Sequence, residues 1–169
     1  TSKPPPPHSN PTKSTETGCC ALSLPQSKIM NVKVELHRLS GDYHLQAVNE
    51  NGNAVESDAS PDIGGTNKGM RPMQMLLSAL GACTAIDVIL IMKKKRQDLR
   101  DIKITVTGER EDGAIPAIFH TIHVHFDLYG PVDPEKAARA IEMSHDKYCS
   151  VTHMVNKVAK VTTSFEVHE

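Results

Sequence analysis

The stretch "LLSALGACTAIDVILIMKKKRQ", residues 76–97, decides how the chain is read. Before Lys93 nearly every residue is apolar or small, yet Cys83 and Asp87 sit inside the run. Pro72 suits the first helical position, where its missing N–H costs nothing, so the pattern predicts a helix over residues 72–95. A helix that is apolar on every side belongs in a large core or in lipid. As a membrane span it is barely long enough. Asp87 near its middle would cost about 2.5–3.5 kcal/mol on insertion scales, and no second apolar segment shelters it. The expectation is a core helix and no membrane partner.

Downstream, "DIKITVTGERE" and "AIFHTIHVHFDLYG" alternate as the two strands of a hairpin that turns near "DGAIP". Asp133, Pro134 and Glu135 then make a helix start, with Asp133 as N-cap. A second short helix over about 150–158 and a closing strand, "KVTTSFEVH", complete the chain. Upstream, residues 32–38 and 43–49 read as strands joined by "LSGD", with "NENGN" leading to a short third strand over 53–58. "SPDIGGTNKGM" carries glycines but no phosphate-binding pattern and is read as a connecting loop. The order βββ–α–ββ–αα–β is that of an α+β fold.

The 169 residues suit one domain. The leader, residues 1–29, is rich in Pro, Ser and Thr and reads as a disordered or expression-derived arm, with the domain over 30–169. It lacks an apolar stretch of signal-peptide length, so a cytoplasmic protein with reduced or cycling thiols is expected. With 19 basic and 20 acidic residues well mixed, there is no electrostatic footprint for nucleic acid.

Of the four cysteines, Cys19 and Cys20 are adjacent in the leader, whereas Cys83 and Cys149 each lie in a periodic segment. A free cysteine is often only a small buried hydrophobe. Cys149, however, falls between two helices, with Ser150 placed to cap the second, and a thiol at a helix N-terminus is one whose pKa drops. Two thiols in one domain suggest an attacking and a resolving pair. The strand histidines His123 and His125 alternate with apolar residues and mark a solvent face. The set His145, Cys149 and His153 straddles a helix break. No metal site and no bound cofactor are therefore expected. No G-x-S-x-G is present to support a hydrolase, and Asp87 is expected to satisfy a buried donor.

"RPMQMLLSALGACTAIDVILIMKKKRQ", the strand pair after it and "DKYCSV" together resemble the OsmC/Ohr family of osmotically inducible and organic-hydroperoxide-resistance proteins, nearest to its YhfA-like branch. The resemblance covers residues 30–169. It implies an intertwined homodimer in which antiparallel sheets wrap long central helices. It implies that Cys83 attacks an organic hydroperoxide and becomes a sulfenic acid, that Cys149 resolves it as a disulfide, and that an external dithiol, lipoyl-type or other, reduces the pair. Family peroxidases carry a glutamate where this chain has Met73, with Gln74 next, and hold an arginine near the thiolate. Arg38 or Arg71 is the candidate for that cation. The competing reading is a small-molecule-binding or redox-sensing dimer with little turnover.

Overall fold

The computed structural model describes residue 1 and residues 29–169, so the leader reading lies almost wholly outside the described residues. The chain divides into Thr1–Val32 and Lys33–Glu169, and among the described residues the strands and helices belong to the second unit. Three strands, β1 (Val34–Ser40), β2 (His44–Asn49) and β3 (Ala54–Ser57), form one antiparallel sheet in the order β1-β2-β3. The first turn contains Gly41 at φ +56° and the second Gly52 at φ +81°, conformations that glycine adopts without a Cβ penalty. Every residue of β1 is exposed, including Val34 and Leu36.

From β3 the chain passes through a loop clamped by Asp58. The Asp58 carboxylate accepts from Thr66 Oγ1 (2.7 Å), from the Thr66 and Lys68 backbone N–H groups (3.0 and 3.1 Å) and from Ala59 N–H (2.8 Å). These bonds hold its pKa down at about 2. The central helix α1 spans Pro72–Lys94, as the proline predicted. Gln74 reaches back to accept the Arg71 N–H at 2.9 Å, satisfying one of the orphan donors of the first turn.

The second sheet has the order β4-β5-β6, with β4 at Asp101–Arg110, β5 at Phe119–Tyr129 and β6 at Lys160–His168. The β4–β5 pair is the expected antiparallel hairpin. The β5–β6 pair is parallel, which corrects the expectation of antiparallel sheets. Between these strands come the helices α2 (Pro134–Met143) and α3 (Ser150–Val155). A crossover through helices returns a strand in the same direction, whereas a tight hairpin reverses it.

One face of this sheet is apolar. Ile122, Val124, Phe126 and Leu128 of β5 are buried, flanked in register by Ile102, Ile104 and Val106 on one side and Val161, Phe165 and Val167 on the other. The helices cover this face. Gly81 lets α1 approach β4 closely, since a Cβ there would meet Val106 Cγ2 at 3.0 Å. Leu80, Gly81, Thr84, Val88, Ile91 and Met92 form the buried side of α1, a core helix as expected. Its other side is not covered by the described residues of the chain itself. Ile86 is 59% exposed, Leu90 50% and Ile89 41%.

Candidate active site

Cys83 lies at the start of the fourth turn of α1, on the side turned toward α2 and α3. Opposite it, the chain leaves α2 through a π-helical turn, Ser144–Tyr148, and delivers Cys149 as the N-cap of α3. Such i→i+5 turns are rare and often sit at functional sites. The expectation that Ser150 caps α3 is corrected: Ser150 is the first helical residue and the Cys149 sulfur itself accepts from Thr152 N–H at 3.3 Å. Cys149 has the extended backbone a cap requires, with φ −70° and ψ 102°.

Both thiols are free; Cys149 is fully buried and Cys83 half-buried. Asp87, one turn after Cys83, joins them. One ligand atom from each of Cys83, Asp87 and Cys149 lies within 4.8 Å of the other two. Asp87 accepts from Ser144 Oγ at 3.1 Å, so the carboxylate does satisfy a buried donor, and it also faces the thiol pair. Burial pushes the Cys83 thiol up, and its hydrogen bond with Cys149 and the charge of Asp87 push the same way. The Val151 N–H, in the first turn of α3, works against them. The start of α3 thus directs one N–H at each sulfur.

Two free sulfurs within 4.8 Å of each other are the starting arrangement for two-electron thiol chemistry, in which they would close to the bond length of about 2.05 Å. Among the described residues, no cation is among the charges acting on the Cys83 thiol. Arg71 caps α1 twelve residues before Cys83, about 18 Å along the axis, and its charge acts on Asp62. Arg38 lies in exposed β1, paired with Leu45. Met73 packs against the core and Gln74 serves the helix cap, so neither takes the place of an arginine-holding carboxylate. His145 pairs with Asp146 at 2.7 Å. The group gathered at Cys149 is therefore Cys83 and Asp87, not His145 and His153. Two cavities of about 620 and 590 Å³ flank α1, and neither is lined by Cys83 or Cys149.

The sequence reading missed Ser144, Val151 and Thr152. The i+4 spacing of Asp87 from Cys83 was visible, but the partners come from across the core.

Residues 65–164 match the family model described as OsmC-like protein. The chain belongs to the OsmC family. Protein YhfA of Escherichia coli (strain K12) is 42% identical over 102 residues, which cover 60% of this chain and 75% of YhfA. A protein of Aquifex aeolicus VF5 shares the fold with a TM-score of 0.71 at 33% identity, over 82% of this chain and 97% of that one. An organic hydroperoxide resistance protein from Legionella pneumophila superposes with a TM-score of 0.63 over 83% of this chain and 99% of its own. Its identity is 15%, so that likeness speaks for the OsmC fold alone.

Proposed function

We propose that this OsmC-family chain is a two-cysteine thiol peroxidase that reduces organic hydroperoxides and works as a homodimer. The observation that carries the proposal is the meeting of two free thiols from α1 and the α2–α3 junction within 4.8 Å. In the first step the Cys83 sulfur attacks the outer peroxide oxygen. The O–O bond breaks, Cys83 is oxidised to a sulfenic acid, and the alkoxide leaves as an alcohol on taking up the thiol proton. In the second step the Cys149 sulfur attacks the Cys83 sulfur, the S–O bond breaks, and water leaves with the Cys149 proton. An external dithiol of the lipoyl type then returns two electrons and two protons, restoring both thiols and leaving as its own disulfide. Such cycling suits a reducing, cytoplasmic setting.

The dimer is supported by the exposed apolar side of α1 and the wholly exposed β1. A second copy covering them would also enclose the half-buried Cys83 and could bring its own Arg38 or Arg71 to the sulfur. Peroxide consumption with several dithiols, on the wild type and on Cys83→Ser, tests the proposal. Turnover in the wild type and its loss in the variant is the expected result. Equal rates would overturn it.

A second reading, a ligand-binding or redox-sensing dimer with little turnover, is favoured by one observation. Burial, Cys149 and Asp87 all hold Cys83 in its neutral form, and a thiol is a poor nucleophile compared with a thiolate. Absence of turnover together with stoichiometric formation of one Cys83–Cys149 disulfide by hydroperoxide would select this reading.

A further inference from the structure

The face of the β4-β5-β6 sheet that points away from the helices is polar, and its centre holds a connected set of side chains. Ser164 Oγ lies 2.7 Å from His123 Nε2 and 2.7 Å from His125 Nδ1. The other nitrogen of His123 is 2.8 Å from Thr162 Oγ1. With Nδ1 engaged, His125 turns Nε2 toward Asp127 Oδ1, 3.6 Å away. Asp127 is in turn 2.9 Å from His168 Nε2, and His168 is steadied by stacking on Tyr129 at 4.8 Å between ring centroids. Parallel register sets Glu166 beside Asp127. One ligand atom from each of His125, Asp127 and Glu166 lies within 4.8 Å of the others.

We propose that His125, Asp127 and Glu166 form a binding site for a divalent first-row transition ion of the zinc type, with Ser164 and His168 orienting the ligands from behind. The His125–Asp127 separation of 3.6 Å is close to the roughly 3.4 Å between ligand atoms in a tetrahedral shell with bonds near 2.1 Å, and Glu166 lies within 4.8 Å of both. Small side-chain rotations would close the shell. One imidazole and two carboxylates suit zinc, cobalt or manganese, and the absence of sulfur from the set disfavours copper(I). The outer partners are of the kind that metal ligands use: a hydroxyl on the far ring nitrogen and a hydrogen-bonded carboxylate. Asp127 is held in place as a ligand by its 2.9 Å contact with His168 Nε2. Lys103 faces Asp127 across the β4–β5 register and is the counter-charge an ion would displace. The side chains are 29% (His125) and 15% (Asp127) exposed, so an ion reaches them from solvent. An ion there would pin β5 to β6, on the opposite side of the sheet from the thiols. This departs from the expectation that the strand histidines only mark a solvent face.

Titrating the reduced full chain with Co²⁺ and following its absorption tests the site. The expected result is one Co²⁺ per chain, with weak d–d bands and no sulfur-to-cobalt charge-transfer band. His125→Ala, Asp127→Asn and Glu166→Gln should abolish this binding, and Cys83→Ser should leave it unchanged. Ser164→Ala should weaken it by about 10- to 100-fold, as loss of an outer-shell partner does. Glu166 is exposed, so its variant is read even if Asp127→Asn does not fold. Three results would overturn the proposal: no binding, equal binding by the Glu166 and His125 variants, or a charge-transfer band that Cys83→Ser removes. The last would place the ion at Cys83, Asp87 and Cys149 instead.

Discussion

Ile86→Ala gives the most direct measure of the proposed dimer. Ile86 sits on the outer side of α1 and keeps 59% of its surface in solvent. Truncation therefore opens no cavity in the protomer core, and alanine is the better helix former. Full burial of such a side chain stabilises by about 1.5–3 kcal/mol, so a partner gains at most about 0.9–1.8 kcal/mol by covering the exposed part. In a two-fold interface the same residue counts on both sides, which gives about 2–3.5 kcal/mol for the pair. At 1.4 kcal/mol per decade the dimer Kd should rise about 20- to 300-fold. Sedimentation velocity across a concentration series reads this directly, with circular dichroism confirming an unchanged helix. An unchanged Kd would show that this side of α1 is not the interface. A compact wild-type monomer at low micromolar concentration would refute the dimer itself.

Two further expectations concern pH. The Cys83 pKa is raised in the fold, so the stability linked to its neutral thiol is fully present below the ordinary thiol pKa of about 8.5 and is lost as pH rises through the folded value. The reduced wild type should therefore lose melting temperature at alkaline pH faster than Cys83→Ala, and its alkylation at neutral pH should be slower than that of the denatured chain. Matching alkaline profiles would contradict the burial argument. Asp58 has the opposite sign. With its pKa lowered to about 2, its contribution is present above the ordinary carboxylate value and is lost as pH falls toward 2. The protection factors of the Thr66 and Lys68 amides should fall over that acid range in the wild type, and Asp58→Asn should remove the dependence. Protection relative to the unfolded-chain rate that persists in the wild type at pH 2 would show that the carboxylate does not clamp the loop.

Local signals in the sequence located most of the elements. Pro72 marks the start of α1, Asp133 caps α2 through the Glu135 and Lys136 N–H groups, and period-two alternation found β4 and β5. Strand β1 begins at Val34, two residues later than its alternation suggested. What stayed hidden depends on distant partners. Nothing in "SHDKY" announces a π turn, because the choice between i→i+4 and i→i+5 bonding there is made by packing on α1. Two thiols in one domain suggested the Cys83–Cys149 pair and the family resemblance assigned their roles, but the packing that joins them was not legible, and the Ser144–Asp87 bond spans 57 positions. The parallel return of β6 had a local cause, the two-helix crossover, which a reading of strand content alone does not register. The half-exposed state of α1 was not legible either, since an apolar helix looks the same whether its own chain or another covers it.

The parallel pairing of β6 with β5 also sets a timetable. His125 and Ser164 are 39 positions apart, and closing a loop of that length costs about 3 kcal/mol by the (3/2)RT ln n rule. The ladder cannot begin to repay this until β6 has been made. At roughly 5–20 residues per second, Cys83 leaves the ribosome seconds before Cys149 is polymerised, and the turn that aims Cys149 waits for the crossover to dock. For that interval Cys83 sits on an uncovered apolar helix without Cys149, and the thiols it can meet are Cys19 and Cys20 of its own chain or those of other molecules. A chain stalled before Cys149 should therefore accumulate disulfides of Cys83 with Cys19, Cys20 or other molecules, which the finished protein, with Cys149 in place, avoids.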